Sequence, residues 1–249
     1  MAATVEVLGV RIDALTWLEL RERVIAACAA TTPTTVMYAN VHVLNTAQRT
    51  PALVDALRAA DIVYCDGEGI RVAARIQGES LPARMTGADF IWDLGERLAE
   101  TRTPLYWVGG ADRTAEVAMT RMAERFPGLV VAGTHHGFFA KDGPETDELI
   151  ARINAANPKV VFVGMGTPVQ ELWIHLHRAR IAAPVVWCIG ATADFIAGVQ
   201  PRGPDFLTQH GFEWLARLVS DPRRLFGRYV LGNPLFLARV VRRRLHRAG

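Results

Sequence analysis

What the chain lacks narrows it first. Of its 249 residues three are cysteines, Cys28, Cys65 and Cys188, odd in number, far apart and without a CxxC pair. That excludes a disulfide scaffold or zinc ribbon and fits a reducing compartment. Two serines occur, Ser80 and Ser220, neither in G-x-S-x-G, so the serine-hydrolase reading fails. Cys65 falls at a strand end, but the ordinary fate of such a thiol is a small buried side chain. No GxxxxGK[ST] loop is present, because the nearest stretch, Gly198 to Gly203, runs into Pro204. There is no D-x-D pair. His135 and His136 are adjacent, and His175 and His177 point apart on a helix, so no metal-ligand cluster is read. The expectation is no metal and no cofactor. No run of about 18 uncharged apolar residues exists, so a membrane-spanning helix is not expected. Met1 to Arg11 lacks the basic-then-apolar pattern of a signal peptide, so a cytoplasmic protein is expected.

What is present is a folding composition: 50% hydrophobic, 21% charged and 8% aromatic residues. The length suffices to bury a large core. The net charge of +3 is unevenly placed. Residues 213–249 hold nine arginines and two acids, a net +7, while residues 1–212 hold 19 basic and 23 acidic residues, a net −4. A basic end on an acidic body points to an anionic partner such as lipid, nucleic acid or phosphate.

The apolar pattern alternates between two periods. Residues 4–12 read as a strand or hairpin turning at Gly9. Thr16 with Glu19 reads as a capping box before a helix over 16–30. Strands are predicted at Thr35–Ala39, Ile62–Cys65, Pro104–Val108, Leu129–Thr134, Val160–Gly164 and Val185–Ile189. Helices are predicted at Pro51–Ala60, Gly67–Ile76, Gly87–Thr101, Arg113–Phe126, Glu145–Ala156 and Pro168–Arg180. This spacing predicts an α/β fold, a mainly parallel, Rossmann-like sheet with helices on both faces. Residues 1–205 are read as this domain. Residues 206–249 are read as a basic helical appendage, which Pro222 and Pro234 divide into about three short helices.

Ligands of such folds bind beyond the carboxyl ends of the strands. Polar and glycine residues gather at those ends. Asn40 follows the first strand and Asp66 the second. Gly109 and Gly110, then His136 and Gly137, follow the next two. Gly166, Thr167 and Pro168, with Gln170 and Glu171, follow the fifth, and Asp194 follows the sixth. Asp66 has two readings, a general base over the sheet edge or the N-cap of the next helix. Arg84, in a loop before a helix, is a phosphate partner or a solvated loop arginine. Gly164 and Gly166 supply two glycines of a dinucleotide fingerprint, but its third position is Val169. A soluble dinucleotide-dependent oxidoreductase is therefore the alternative enzyme. A non-enzymatic basic lipid- or nucleic-acid-binding module leaves the polar strand ends unexplained. In the tail, the apolar stretch 229–241 between Arg228 and Arg242 favours a membrane surface over nucleic acid.

Several blocks together resemble one family, the WecG/TagA/CpsF glycosyltransferases (glycosyltransferase family 26). They are Ala39-Asn40, CDGEGI at 65–70, Arg84-Met85-Thr86-Gly87, Gly109-Gly110, GTHHGFF at 133–139, GMGTPVQE at 164–171, GATADFIAG at 190–198 and the tail block at 211–233. The resemblance implies an inverting transfer from a UDP-sugar to a sugar on a membrane polyprenyl diphosphate, in the synthesis of cell-surface polysaccharide or teichoic acid. It implies N-acetylmannosamine, its uronic acid or glucose as the sugar moved. It implies Asp66 as general base, Arg84 at the diphosphate, and Asn40 and Gln170 as further polar site residues. It also implies a tail that brings arginines (Arg217, Arg223, Arg224 and Arg228) to the acceptor diphosphate and docks the enzyme on the inner face of the membrane. No nucleic-acid partner is implied, and a homo-oligomer is left open. Many members carry Thr where this chain has Tyr38, which puts the acceptor pocket's shape in question.

Overall fold

The β-branched runs of the sequence become strands, and the apolar residues at helical spacing become helices that cover them. The structure, a computed structural model, describes residues 3–199, 215, 218–219 and 222–248. The chain opens with an antiparallel hairpin, β1 (Thr4–Val7) and β2 (Val10–Asp13). Helix α1 (Trp17–Ala27) follows, and its start carries the full Thr16/Glu19 capping box. Then come β3 (Thr34–Ala39), α2 (Val41–Ala47), α3 (Pro51–Ala59), β4 (Ile62–Cys65), α4 (Glu68–Ile76) and α5 (Gly87–Glu100). The second half holds β5 (Leu105–Gly109), α6 (Thr114–Arg125), β6 (Val131–His135), α7 (Pro144–Ala156), β7 (Val160–Gly164), α8 (Val169–His177), β8 (Val185–Cys188) and α9 (Thr192–Ile196).

Six strands pair in the order β4-β3-β8-β7-β5-β6, every pairing parallel. All residues of β4, β5, β7 and β8 are buried, so both faces of the sheet are covered. Aromatic rings fill the layer between sheet and helices. Trp107 meets Phe162 edge-on at 5.1 Å, and Phe90 stacks on Trp187 at 5.5 Å. The hairpin is tied in by a buried carboxylate: Asp13 Oδ2 accepts the Val63 N–H at 2.8 Å.

Two connections diverge in the middle of the sheet. β5 leads to β6 on one side, and its neighbour β7 leads to β8 on the other. Such a switch point opens a crevice at the carboxyl edge. Gly109 and Gly164 end the two strands there as register partners. The backbones approach so closely that a Cβ on Gly109 would overlap the Gly164 carbonyl oxygen. Gly109 also has φ +155°, which glycine adopts without strain.

The basic tail docks on this body. Helix α10 (Pro222–Phe226) passes through a π-helical turn, Gly227–Leu231, into α11 (Gly232–Ala248). Phe236 and Val240 are buried, and α11 lies against α2 and α4. Asn45 Nδ2 donates to the Gly232 carbonyl at 2.8 Å, and Arg239 donates back to Asn45 Oδ1 at 2.6 Å. Arg243 pairs with Glu6 at 3.1 Å, and Arg244 donates to the Ile76 carbonyl.

Two helices go beyond the sequence reading, and two readings need correction. The run 41–47 is a helix, although it starts directly after a strand and carries two valines; Asn40 caps it. A short helix at Thr192–Ile196 was also not foreseen. Strand β6 starts at Val131 rather than Leu129, because Leu129 still closes the turn after α6 by donating to the Phe126 carbonyl. Pro234 does not break the tail: it is the third residue of α11, just past the π-helical turn, which already departs from the i to i−4 bonding that a proline cannot complete. The domain boundary read after residue 205 lies outside the described residues.

Candidate active site

β3 and β4 run side by side with Ala39 opposite Cys65, so Asn40 and Asp66, each one residue beyond its strand, become neighbours. Asn40 Nδ2 donates to Asp66 Oδ2 at 2.8 Å. Asn40 Oδ1 accepts the Val43 N–H at 2.9 Å, the N-cap bond of α2. The cap demands the oxygen, so the amide nitrogen must face the carboxylate. Asp66 is half-buried. Of its two readings, the cap is not the one realised: Gly67, at φ +99°, is the N-cap residue of α4 and makes no side-chain cap bond.

Arg84 arrives by a loop pinned beside Asp66. The Met85 N–H donates to the Cys65 carbonyl at 2.9 Å. Arg84 is not a solvated loop arginine, since its side chain is 17% exposed and lies 3.3 Å from Asp89 Oδ2. Thr86 Oγ1 donates to that same oxygen at 2.8 Å. The guanidinium is thereby held near the strand ends.

On the other half of the edge, Gly109, Gly110, Gly137 and Gly166 lie at or just beyond the ends of β5, β6 and β7. Gly137 N–H donates to the Gly110 carbonyl at 2.8 Å, and Gly110 N–H to Gly164 at 3.1 Å. Gly166, at φ +79°, leaves open space before α8, whose N-terminus follows Pro168. His136 Nδ1 accepts the Phe138 N–H at 3.2 Å. Gln170 and Glu171 lie beneath this edge, fully buried. Gln170 Nε2 donates to Tyr38 Oη and to Glu171 Oε1, each at 2.9 Å, and Thr167 Oγ1 donates to the same Glu171 oxygen at 2.8 Å. Burial raises the Glu171 carboxyl above its ordinary pKa. Asp194 sits in the first turn of α9.

Two residues in this region were not foreseen. Phe138 is 77% exposed at the β6 end. Lys141 stiffens that loop by donating to the Gly137 carbonyl at 2.8 Å and the Phe139 carbonyl at 2.5 Å, with its ammonium 3.6 Å from the Phe139 ring centroid. The GFF run followed by a lysine was the available signal. Among the described residues no three His, Cys, Asp or Glu side chains gather as a metal-ligand set.

Of the tail arginines, Arg228 approaches this edge. It lies in the π-helical turn, close enough to His42, in the first turn of α2, to affect its titration. Arg223 is exposed on α10. Arg217 and the Arg224 side chain lie outside the described residues. Burial first, and the Arg228 charge second, push the His42 pKa down to about 4. An unfolded chain protonates this imidazole near pH 6.5. Between pH 6.5 and about 4 the unfolded state therefore binds more protons, and the native state loses stability as pH falls through that window. His42→Gln is expected to lose less stability than the parent chain from pH 7 to pH 4. Urea unfolding at both pH values checks this, and equal losses would count against it.

The fold is a parallel α/β sheet, and the candidate site lies at its carboxyl edge. The chain belongs to the Glycosyl transferase WecG/TagA/CpsF family, whose profile matches residues 5–249. It is similar to an N-acetylglucosaminyldiphosphoundecaprenol N-acetyl-beta-D-mannosaminyltransferase of Bacillus spizizenii, 28% identical over 207 residues, 83% of this chain and 78% of the relative. A protein of the same name from Staphylococcus aureus is 26% identical over 242 residues, 96% of this chain and 93% of the relative. The chain is thus a glycosyltransferase. No helix among the described residues is long and apolar enough to cross a membrane.

Proposed function

We propose that this glycosyltransferase moves a sugar from a UDP-sugar to a sugar carried on a polyprenyl diphosphate, with inversion at the anomeric carbon. The named relatives act on a diphosphoundecaprenol-linked sugar, which supports the acceptor class. The observation that carries the mechanism is the Asn40–Asp66 pair, at 2.8 Å, beside Arg84. Asp66 takes the proton of the acceptor hydroxyl while that oxygen attacks the anomeric carbon. The bond from that carbon to the diphosphate oxygen breaks, UDP leaves from the opposite face, and the proton passes to water. Arg84, the amides before α8 and Arg228 meet the charge that develops on the departing diphosphate. Arginine suits this task because its fork binds two oxygens at once. Neither a metal nor a cofactor enters this reading.

The tail is the contact with the acceptor's membrane. By helical spacing, Leu231, Leu235, Val241 and Leu245 lie opposite the buried Phe236 and Val240, and all four are exposed. Exposed arginines on the same segment suit an anionic surface. On this reading the tail is a docking appendage and the protein works at the inner face of the cell membrane.

A screen tests the proposal: UDP-N-acetylmannosamine, its uronic acid and UDP-glucose, each with a synthetic polyprenyl-diphosphate sugar, read by mass spectrometry. One donor is expected to add one hexose-type unit to the acceptor with one UDP released, and an α-linked donor is expected to give a β-linked product by NMR. Absence of product with every donor, together with thermal stabilisation by NAD and not UDP, would favour the oxidoreductase instead.

A further inference from the structure

Tyr38 joins the two halves of the candidate site. It lies in β3, two residues before Asn40, and its ring is 6.0 Å from that of Tyr64. Its hydroxyl reaches past the end of β8 to the start of α8, where Gln170 Nε2 donates to it at 2.9 Å. The path is open because residue 190 is glycine. A Cβ there would stand 2.9 Å from the Tyr38 oxygen, closer than side-chain contacts allow. Asp66 is near enough for its charge, with burial and Glu171, to hold the Tyr38 phenol un-ionised. One hydroxyl therefore touches the α8 side and lies within the field of the β3–β4 side.

Gln170 is fixed by this arrangement. Its Nε2 makes two hydrogen bonds, to Tyr38 and to Glu171 Oε1, and Glu171 Oε1 also takes the Thr167 hydroxyl. The Glu171 oxygen dictates that the nitrogen, not the oxygen, of the carboxamide faces it. Gln170 Oε1 is then left buried without a hydrogen-bond partner among the described residues, as is Glu171 Oε2. A buried acceptor without a donor is unfavourable. The carboxamide is thus held by its donor end, with its acceptor end unpaired.

We propose that Tyr38 is a positioning residue for the transfer reaction, its hydroxyl holding in place, beneath the floor of the site, the Gln170 carboxamide whose orientation Glu171 sets. The proposal rests on the reading of Gln170 as a site residue made above. Tyr38 acts through Gln170 and touches no reacting atom.

A double-mutant cycle on the full chain tests it. Tyr38→Phe removes the oxygen and keeps the ring. Gln170→Met removes the carboxamide and keeps the volume. Tyr38→Phe is expected to lower kcat on the order of tenfold, the loss of one hydrogen bond, with the donor KM within about twofold. On the Gln170→Met background the same change is expected to cost less than about twofold. Losses that multiply, or undiminished kcat in Tyr38→Phe, overturn the proposal. A second readout needs no turnover. In protein carrying ¹⁵N-glutamine, the Gln170 side-chain NH₂ signals are expected to shift in Tyr38→Phe while those of the other four glutamines stay. Unmoved Gln170 signals overturn the proposal. If the parent chain transfers from no UDP-sugar, the proposed reaction fails, and the NH₂ signals still decide whether Tyr38 holds Gln170.

Discussion

Asp66→Asn leaves the chain folded and able to bind UDP but lowers sugar transfer by about 10²–10⁴-fold, the range of a lost general base. The geometry makes this substitution selective. Asn40 offers its nitrogen to residue 66 because its oxygen is committed to capping α2. An asparagine at 66 presents its own Oδ1 to that nitrogen, so this contact survives while the basicity is lost. Thermal unfolding within about two degrees of the parent, UDP binding by calorimetry and single-turnover transfer are the three measurements. Undiminished transfer would remove Asp66 as the base. The reciprocal change reads the pair from its other side. Asn40→Asp keeps the cap acceptor, but sets a second carboxylate where the amide nitrogen stood, 2.8 Å from Asp66. Two carboxylates that close cannot both ionise readily, so they titrate as a pair with one apparent pKa raised. The acidic limb of kcat/KM against pH is expected to move upward; a limb that stays in place would show that Asp66 does not control it.

The strands were legible because burial on both faces demands unbroken apolar runs. VVFV at 160–163 and VVWC at 185–188 have no other reading in an alternating chain. The site was legible for a related reason: a parallel sheet gathers whatever follows its strands along one edge. Sequence gave no access to contacts made across that edge. Helix α2 was invisible because Val41 and Val43 continue the β-branched look of β3 without a loop between them. Its true signal was Asn40, whose short amide caps the helix while also holding Asp66. That Gly67 and not Asp66 is the N-cap residue of α4 follows from its positive φ, which lets the backbone enter the helix without a side-chain cap. The pairing of Tyr38 with Gln170, at a separation of 132 residues, depends on tertiary placement that no local pattern encodes.

The combined change Leu235→Glu, Val241→Glu and Leu245→Glu is expected to abolish binding to vesicles containing anionic lipid and to leave the fold intact. These positions lie on the outer side of α11, and Leu245 is 67% exposed. The inner side holds Phe236 and Val240 against the body, with Arg239 and Arg243 bonded to Asn45 and Glu6. Deleting the tail would strip those inner contacts from α2, which carries the Asn40 cap, so truncation would confound docking with damage to the site. Outer-face changes avoid this, because side chains already in water give up little core packing. Each buried Leu or Val is worth about 1.5–3 kcal/mol at an interface, and each carboxylate added opposite an anionic surface is repelled. Three such changes together exceed what a peripheral helix of this length holds in reserve. Sedimentation with anionic and with neutral vesicles reads the binding, and a paired assay reads its purpose. Transfer to a long-chain acceptor embedded in vesicles is expected to fall on the order of tenfold or more, while transfer to a short-chain, water-soluble acceptor is retained, since anchoring raises encounter with the embedded substrate alone. Equal sedimentation of parent and variant would defeat the docking role of α11. Equal loss with both acceptors would place these three residues in the reaction itself instead of at the membrane.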